Sequence, residues 1–266
     1  MRGLMNHPAA TRAPNLRRAY FESRFGQLHC RTAFPSTGGF DELTPLLALH
    51  DAPGTGAELA LLLPLLGRDR SVYLPDLPGC GQSDGPLATV TVGEYGAGIA
   101  DMLRGLRLRE VDVLGVGVGA AIAIEVALQM GQGVRRLVLA RPSLSASGQS
   151  APPAARADGS HLLAEWQSSL VLAASPDLEL QTREFGARLS AGASSHWPRV
   201  ALASWSVASR AAPLTAPVLV LESATPSPPT KALLPMARVE SFPSAGIFSP
   251  AALERNVRSL TEFLDR

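Results

Sequence analysis

The sequence predicts an α/β protein, a mostly parallel central sheet flanked by helices, with a helical cap inserted late in the chain. Three observations predict it. Short apolar runs of strand length alternate with helical periodicity over 19–141 and again over 214–266, the rhythm of a parallel sheet covered on both faces. Several runs end in glycine-rich loops: "DAPGTG" (Asp51–Gly56), "DLPGCGQSDGP" (Asp76–Pro86) and "GVGVG" (Gly115–Gly119). The alternation lapses over 142–213, which holds all three tryptophans (Trp166, Trp197 and Trp205) and mostly helical patterning. An insertion there suits such a sheet, because ligands bind beyond the carboxyl ends of its strands.

In chain order, residues 1–18 carry four arginines, no acid and no apolar core, which predicts a disordered leader rather than a secretory signal. Ala19–Phe34 reads as two short strands joined at Gly26, and Pro45–His50 as a buried strand. Ala57–Gly67 reads as a helix with Pro64 near its end, and Ser71–Pro75 as another strand. Thr91 and Glu94 form a capping box for a helix whose face is Tyr95, Ile99, Met102 and Leu106. Val111–Leu114 and Val134–Ala140 are parallel-type strands on either side of an apolar helix. After the cap, Ala216–Ser223 and Ala237–Pro243 are strands. The last helix takes Ser249 as N-cap and Pro250 at its first position, with Leu253, Val257, Leu260 and Leu264 on one face.

With 266 residues the chain has room for one large domain or two small ones. A formal charge of +1 gives no footing for nucleic acid or a membrane surface, and Lys231 is the sole lysine. No apolar run reaches the roughly 20 residues of a membrane span. Cys30 and Cys80 are too few and too far apart for a disulfide framework or a metal site, which points to a reducing cytoplasm. Abundant alanine and arginine suggest a high-GC bacterium. No cofactor is expected; the expected partner is a small molecule, and homo-oligomerisation stays open.

"LALHDAPGTG", "YLPDLPGCGQSDGP" and "VDVLGVGVGAAIAIEVA", in this order, resemble three signatures of the α/β-hydrolase family. The first is similar to the oxyanion loop, usually His-Gly followed by a Pro-Gly turn. The second is similar to Pro-Asp-x-Pro-Gly-x-Gly-x-Ser, and the third to the nucleophile elbow Gly-x-Ser-x-Gly. The similarity runs from about Tyr20 to Leu264. It implies a Ser-His-acid triad, and the chain departs from that pattern at each position. The nucleophile position falls on Gly117, the acid on Thr225 or Pro226, and the base on Ile247. The alternative acid position, after "RLVLA", holds Arg141, Pro142 and Ser143.

A triad needs a hydroxyl or thiol to attack and a base to take its proton. Gly117 offers neither, while glycine relieves the strained positive φ of an elbow. The expectation is therefore a non-hydrolytic pseudoenzyme that binds a small ligand or a protein partner, with a ligand site at His50, Asp51, Ala52, Gly117, Val118 and Ile247. Backbone N–H groups at Val118 and near Asp51 or Ala52 would face an apolar or carbonyl-containing ligand. His50 matches a structural position, and Asp51 puts a carboxylate where the family has glycine. An alternative is a hydrolase or lyase of small carbonyl or ester compounds using His161 or His196 of the cap, Asp51 or Glu222. A third reading takes Gly115-Val116-Gly117-Val118-Gly119-Ala120 as a Gly-x-Gly-x-x-Ala fingerprint of an NADP-binding domain, with Arg141 near the next strand end. Asp76, Ser83 and Asp84 are expected to hold turns, Cys80 to be a buried thiol, and Glu125, among apolar residues, to need a partner.

Overall fold

Among the described residues, eight strands form one sheet in the order β1-β2-β4-β3-β5-β6-β7-β8. They are β1 (Asn15–Ser23), β2 (Gly26–Phe34), β3 (Leu43–Leu49), β4 (Arg70–Pro75), β5 (Val111–Val116), β6 (Val134–Ala140), β7 (Val218–Ser223) and β8 (Arg238–Phe242). The computed structural model describes residues 13–36, 42–144, 154–171, 178–190, 192–223, 230–242 and 253–266. β1 and β2 form an antiparallel hairpin and β2 joins β4 antiparallel; every later pairing is parallel. β4 and β5 are buried along their whole length, as expected of strands covered on both faces.

The helices are α1 (Leu63–Leu66), α2 (Val92–Gly105), α3 (Val118–Met130), α4 (Ser160–Val171), α5 (Leu178–Leu189), α6 (Trp197–Ala201), α7 (Val207–Arg210), α8 (Thr230–Leu233) and α9 (Leu253–Leu264). Side chains of α2 and α3 share one apolar cluster with Leu47, Leu49, Val113 and Leu139. Those of α1 and α9 share the other with Leu46, Ala48, Leu114 and Val138. Alternate residues of β3 and β5 thus feed opposite cores, and the sheet is the middle of three layers.

Two elements differ from expectation. β1 begins at Asn15, inside the expected 1–18 leader, because Asn15–Arg18 pair with Phe34–Arg31 of β2; residues 1–12 lie outside the described ones. Gly56–Leu62 is a 3-10 segment, and α1 starts only at Leu63, with Pro64 in its first turn rather than near a helix end. Proline lacks the N–H that a helix interior needs, so it suits a first turn and splits the apolar stretch there. The capping box is present: Thr91 Oγ1 accepts from Glu94 N–H at 3.2 Å, and Thr91 N–H donates to Glu94 Oε2 at 2.8 Å. Ser249 and Pro250 fall outside the described residues.

Under the amino ends of the parallel strands sits a charged knot. Arg70 is fully buried and meets Asp69, Asp112 and Asp265, while Arg135 donates to Asp112 at 3.0 and 2.5 Å and to the carbonyl of Leu264. It pins α9 to the sheet. Between β6 and β7 the insertion carries α4–α7, with Trp166 packed edge-on against Phe185 at 5.4 Å. Its end docks on α3: Glu125, buried mid-helix, accepts from Trp205 Nε1 at 2.8 Å and from Arg210 at 2.7 Å on each oxygen. That is the partner the sequence demanded. Among the described residues, no helix is long and apolar enough to cross a membrane.

Candidate functional site

β5 ends at Val116 and α3 begins at Val118, so Gly117 alone makes the corner, at φ 57° and ψ −118°. A residue with a Cβ is strained at that φ. Gly117 N–H donates to the Ala140 carbonyl at 3.0 Å, and its own carbonyl accepts from Ser143 N–H at 3.0 Å. Gly115 and Gly119 serve close approach: a Cβ on Gly115 would run into the backbone of Gly119 and Ala120, and one on Gly119 into that of Leu49 and His50. The strand, turn and helix are thereby pressed onto the loop after β3.

That loop supplies the occupant of the corner. Asp51 Oδ1 accepts from Val118 N–H at 2.8 Å and from Ala52 N–H at 2.9 Å. Arg199 of α6 adds a third donor at 3.2 Å, and donates to the Ala52 carbonyl at 3.0 and 2.5 Å. Val118 N–H and Ala52 N–H are the donor pair expected to face a ligand, and their acceptor is a carboxylate of the chain itself. A Cβ on Gly117 would fall well inside 3.0 Å of the Asp51 carboxylate, closer than real Cβ atoms come. The carboxylate takes the volume that a nucleophile's side chain would need.

A family model described as alpha/beta hydrolase fold matches residues 44–221, more than half of the chain. The chain belongs to the α/β-hydrolase fold family. A segment of 105 residues is 35% identical to proline iminopeptidase of Heyndrickxia coagulans, spanning 39% of this chain and 36% of that protein. Another of 69 residues is 41% identical to an uncharacterized protein of Mycobacterium tuberculosis, 26% of this chain and 20% of that one. The matches thus span well under half the length of these relatives. Among solved structures, an enol-lactonase from Burkholderia xenovorans superposes with TM-score 0.77 at 15% identity, covering 93% of this chain and all of that one (100%). Proline iminopeptidase of Mycobacterium smegmatis does so with TM-score 0.73 at 18% identity, covering 94% and 98%. Identities this low speak for the hydrolase fold alone.

Of the positions expected for a triad, Gly117 lies among the described residues, whereas Thr225, Pro226 and Ile247 lie outside them. His50 is fully buried; its Nε2 accepts from Leu77 N–H at 2.8 Å, so Nδ1 carries the proton and donates to the Asp51 carbonyl at 2.7 Å. Burial lowers its pKa, and the ring stays neutral as the brace between two hydrolase loops. In the Asp76 loop, Asp76 accepts from Gly56 and Gln82 N–H at 2.8 and 3.1 Å and from His29 at 2.9 Å. Ser83 Oγ donates to the Asp76 carbonyl, and Asp84 accepts from Gln27 N–H. These carboxylates and hydroxyls hold turns. Cys80 is buried, and burial pushes its thiol well above the ordinary value.

The alternative catalytic residues are scattered. His161 Nδ1 accepts from Arg156 N–H at 3.1 Å, a local turn within the insertion. His196 is partly buried and its pKa is lowered, chiefly by burial; Glu165 opposes the shift and Arg199 adds to it. Neither histidine hydrogen-bonds a carboxylate among the described residues. Glu222 lies in β7 opposite Ser241 of β8, partly buried. Among the described residues His29 and Asp76 form a buried histidine–carboxylate pair, both 1% exposed. At the glycine fingerprint, the α3 N-terminus where a dinucleotide phosphate would sit holds the Asp51 carboxylate. Among the described residues no three His, Cys, Asp or Glu side chains gather as a metal site.

Arg199 went unseen in the sequence. It is one cation among 24, in "HWPRV", with no motif around it. Only folding brings α6 over the loop at Asp51.

Proposed function

We propose that this chain is a non-hydrolytic member of its family, a pseudoenzyme that binds a small carbonyl- or carboxyl-containing ligand at the old catalytic corner. One observation carries the reading: the Asp51 carboxylate sits over Gly117 and uses both backbone donors that acyl-transfer chemistry would aim at an oxyanion. A substrate carbonyl finds no attacking atom at Gly117, and no polarising pair until Asp51 moves. The lack of a hydrogen bond from His161 or His196 to a carboxylate among the described residues adds support. Incubation of the unmodified chain with p-nitrophenyl acetate tests it. The expected result is background release. Turnover that survives His161→Ala and His196→Ala together overturns the reading.

A second reading keeps Asp51 as the reacting group. Its Oδ1 takes all three donors, its side chain is 27% exposed, and Oδ2 accepts no hydrogen bond among the described residues. A carboxylate is nucleophilic without a base. Ester turnover abolished by Asp51→Asn would select this reading over the first.

A further inference from the structure

We propose that the corner is a carboxylate-binding site in which Asp51 is a resident, exchangeable occupant. A small ligand carboxylate takes its place on Ala52 N–H, Val118 N–H and the Arg199 guanidinium. The inference rests on reading the corner as a place of binding rather than reaction.

The three donors come from separate parts of the fold: the loop after β3, the first turn of α3, and α6 of the insertion. They converge on one oxygen, and that oxygen belongs to a carboxylate. Two backbone N–H groups suffice for a neutral carbonyl; the added guanidinium favours an anion, since charge-assisted hydrogen bonds are roughly twice as strong as neutral ones. The absent Cβ of Gly117 provides the room. Exchange is feasible because Asp51 is partly exposed and Oδ2 accepts no hydrogen bond among the described residues. A ligand carboxylate that satisfies the three donors equally well replaces what Asp51 gives up, while Asp51 gains water.

The arrangement also states what the ligand does to the rest of the molecule. Arg199 is tied to the Ala52 carbonyl as well as to Asp51, so the insertion is seated on the groups that line the site. Arg188 of α5 pairs with Glu58 of the same loop region at 3.1 Å. Basic residues of the insertion therefore close onto acids of the core. Asp51 acts as an internal competitor, which lowers the apparent affinity by the fraction of time it is seated. Removing it must strengthen carboxylate binding, and removing Arg199 must weaken it.

Sodium propionate at constant ionic strength is the probe, with propionamide as the neutral counterpart, read from the Ala52 and Val118 backbone amide resonances. We expect Asp51→Ala to bind propionate at least tenfold more tightly than the unmodified chain. Asp51→Ala combined with Arg199→Met should lose at least tenfold of that gain, and propionamide should bind far more weakly than propionate throughout. Equal propionate affinity with and without Asp51, or amide resonances that ignore propionate in Asp51→Ala, overturns the proposal. Should Asp51→Ala fail to fold, Asp51→Asn keeps the volume and an acceptor oxygen. A neutral occupant yields to propionate more readily than a carboxylate does, and an unchanged affinity there is equally fatal. Ester turnover by the unmodified chain would remove the non-hydrolytic reading without touching these amide measurements, so the two fail separately.

Discussion

Asp51 and Gly117 exclude any larger partner from one another's place: the carboxylate occupies the volume in which a side chain at 117 would begin. The two residues lie in different loops, yet their identities are coupled by contact. Placing a hydroxyl at the corner is therefore not a single substitution.

Gly117→Ser should destabilise the chain by at least the ~1–3 kcal/mol of a strained positive φ, with the clash against Asp51 added. Asp51→Gly in the same chain should recover the clash and leave the strain. Urea denaturation of both singles and the double measures the non-additivity. Additive effects would mean that the carboxylate does not occupy that volume.

Arg210 and Glu125 form an asymmetric pair, the arginine side chain 42% exposed and the carboxylate 2%. Arg210→Met strips a buried charge of its two strongest donors and should cost about 3 kcal/mol. Glu125→Gln should cost less, because a freed Arg210 reaches water. Denaturation midpoints at pH 7 rank the two, and the reverse order would contradict the burial of Glu125.

Asp112 lies at the centre of the knot that holds Arg70 and Arg135. Burial raises its pKa despite those arginines, because at Asp112 desolvation outweighs their attraction. Asp112→Leu should nonetheless lower stability, by about 3 kcal/mol, because Arg70 stays buried with fewer partners. The loss should appear equally in the unfolding of α9, tracked by hydrogen exchange at Leu260 and Leu264.

Acid should unfold the chain in two stages. Burial lowers the folded pKa of His50, so the unfolded state binds its proton more readily and stability rises with pH. That stability is complete well above pH ~6.5 and declines below it, by up to ~1.4 kcal/mol per pH unit for one proton. Asp76 answers at lower pH. Burial alone would raise its pKa, but the hydrogen bonds from His29, Gln82 and Gly56 bring it below the usual value. Its contribution is present above pH ~3.9 and lost as pH falls through the folded value. Denaturation at pH 8, 6.5, 5 and 4 follows both stages, and His50→Gln should flatten the first.

The fold was legible because its signals are local. Alternating apolar runs, the Thr91–Glu94 box and the glycine-rich strand ends each draw on a few neighbouring residues, and Val134–Ala140 came out as the strand that folds. The boundary errors were also local. Pro64 looked like a helix end and is a helix start, and the leader hid the register that carries β1 back to Asn15. Gly117 was placed at an elbow by the resemblance of its loop to the family's signature, and the turn between β5 and α3 does fall on it.

What occupies the elbow was decided by the tertiary structure. Asp51 and Gly117 are distant in sequence, Arg199 lies farther on, and nothing in the local pattern of any of them announces the others. Two backbone N–H groups with strict direction and one guanidinium from the insertion converge on a single oxygen only when sheet, helix and insertion are packed. The sequence by itself determined that the corner residue is a glycine with no side chain; packing determined that the space above it is filled. A missing side chain is a property of one position. A filled hole depends on distances among several.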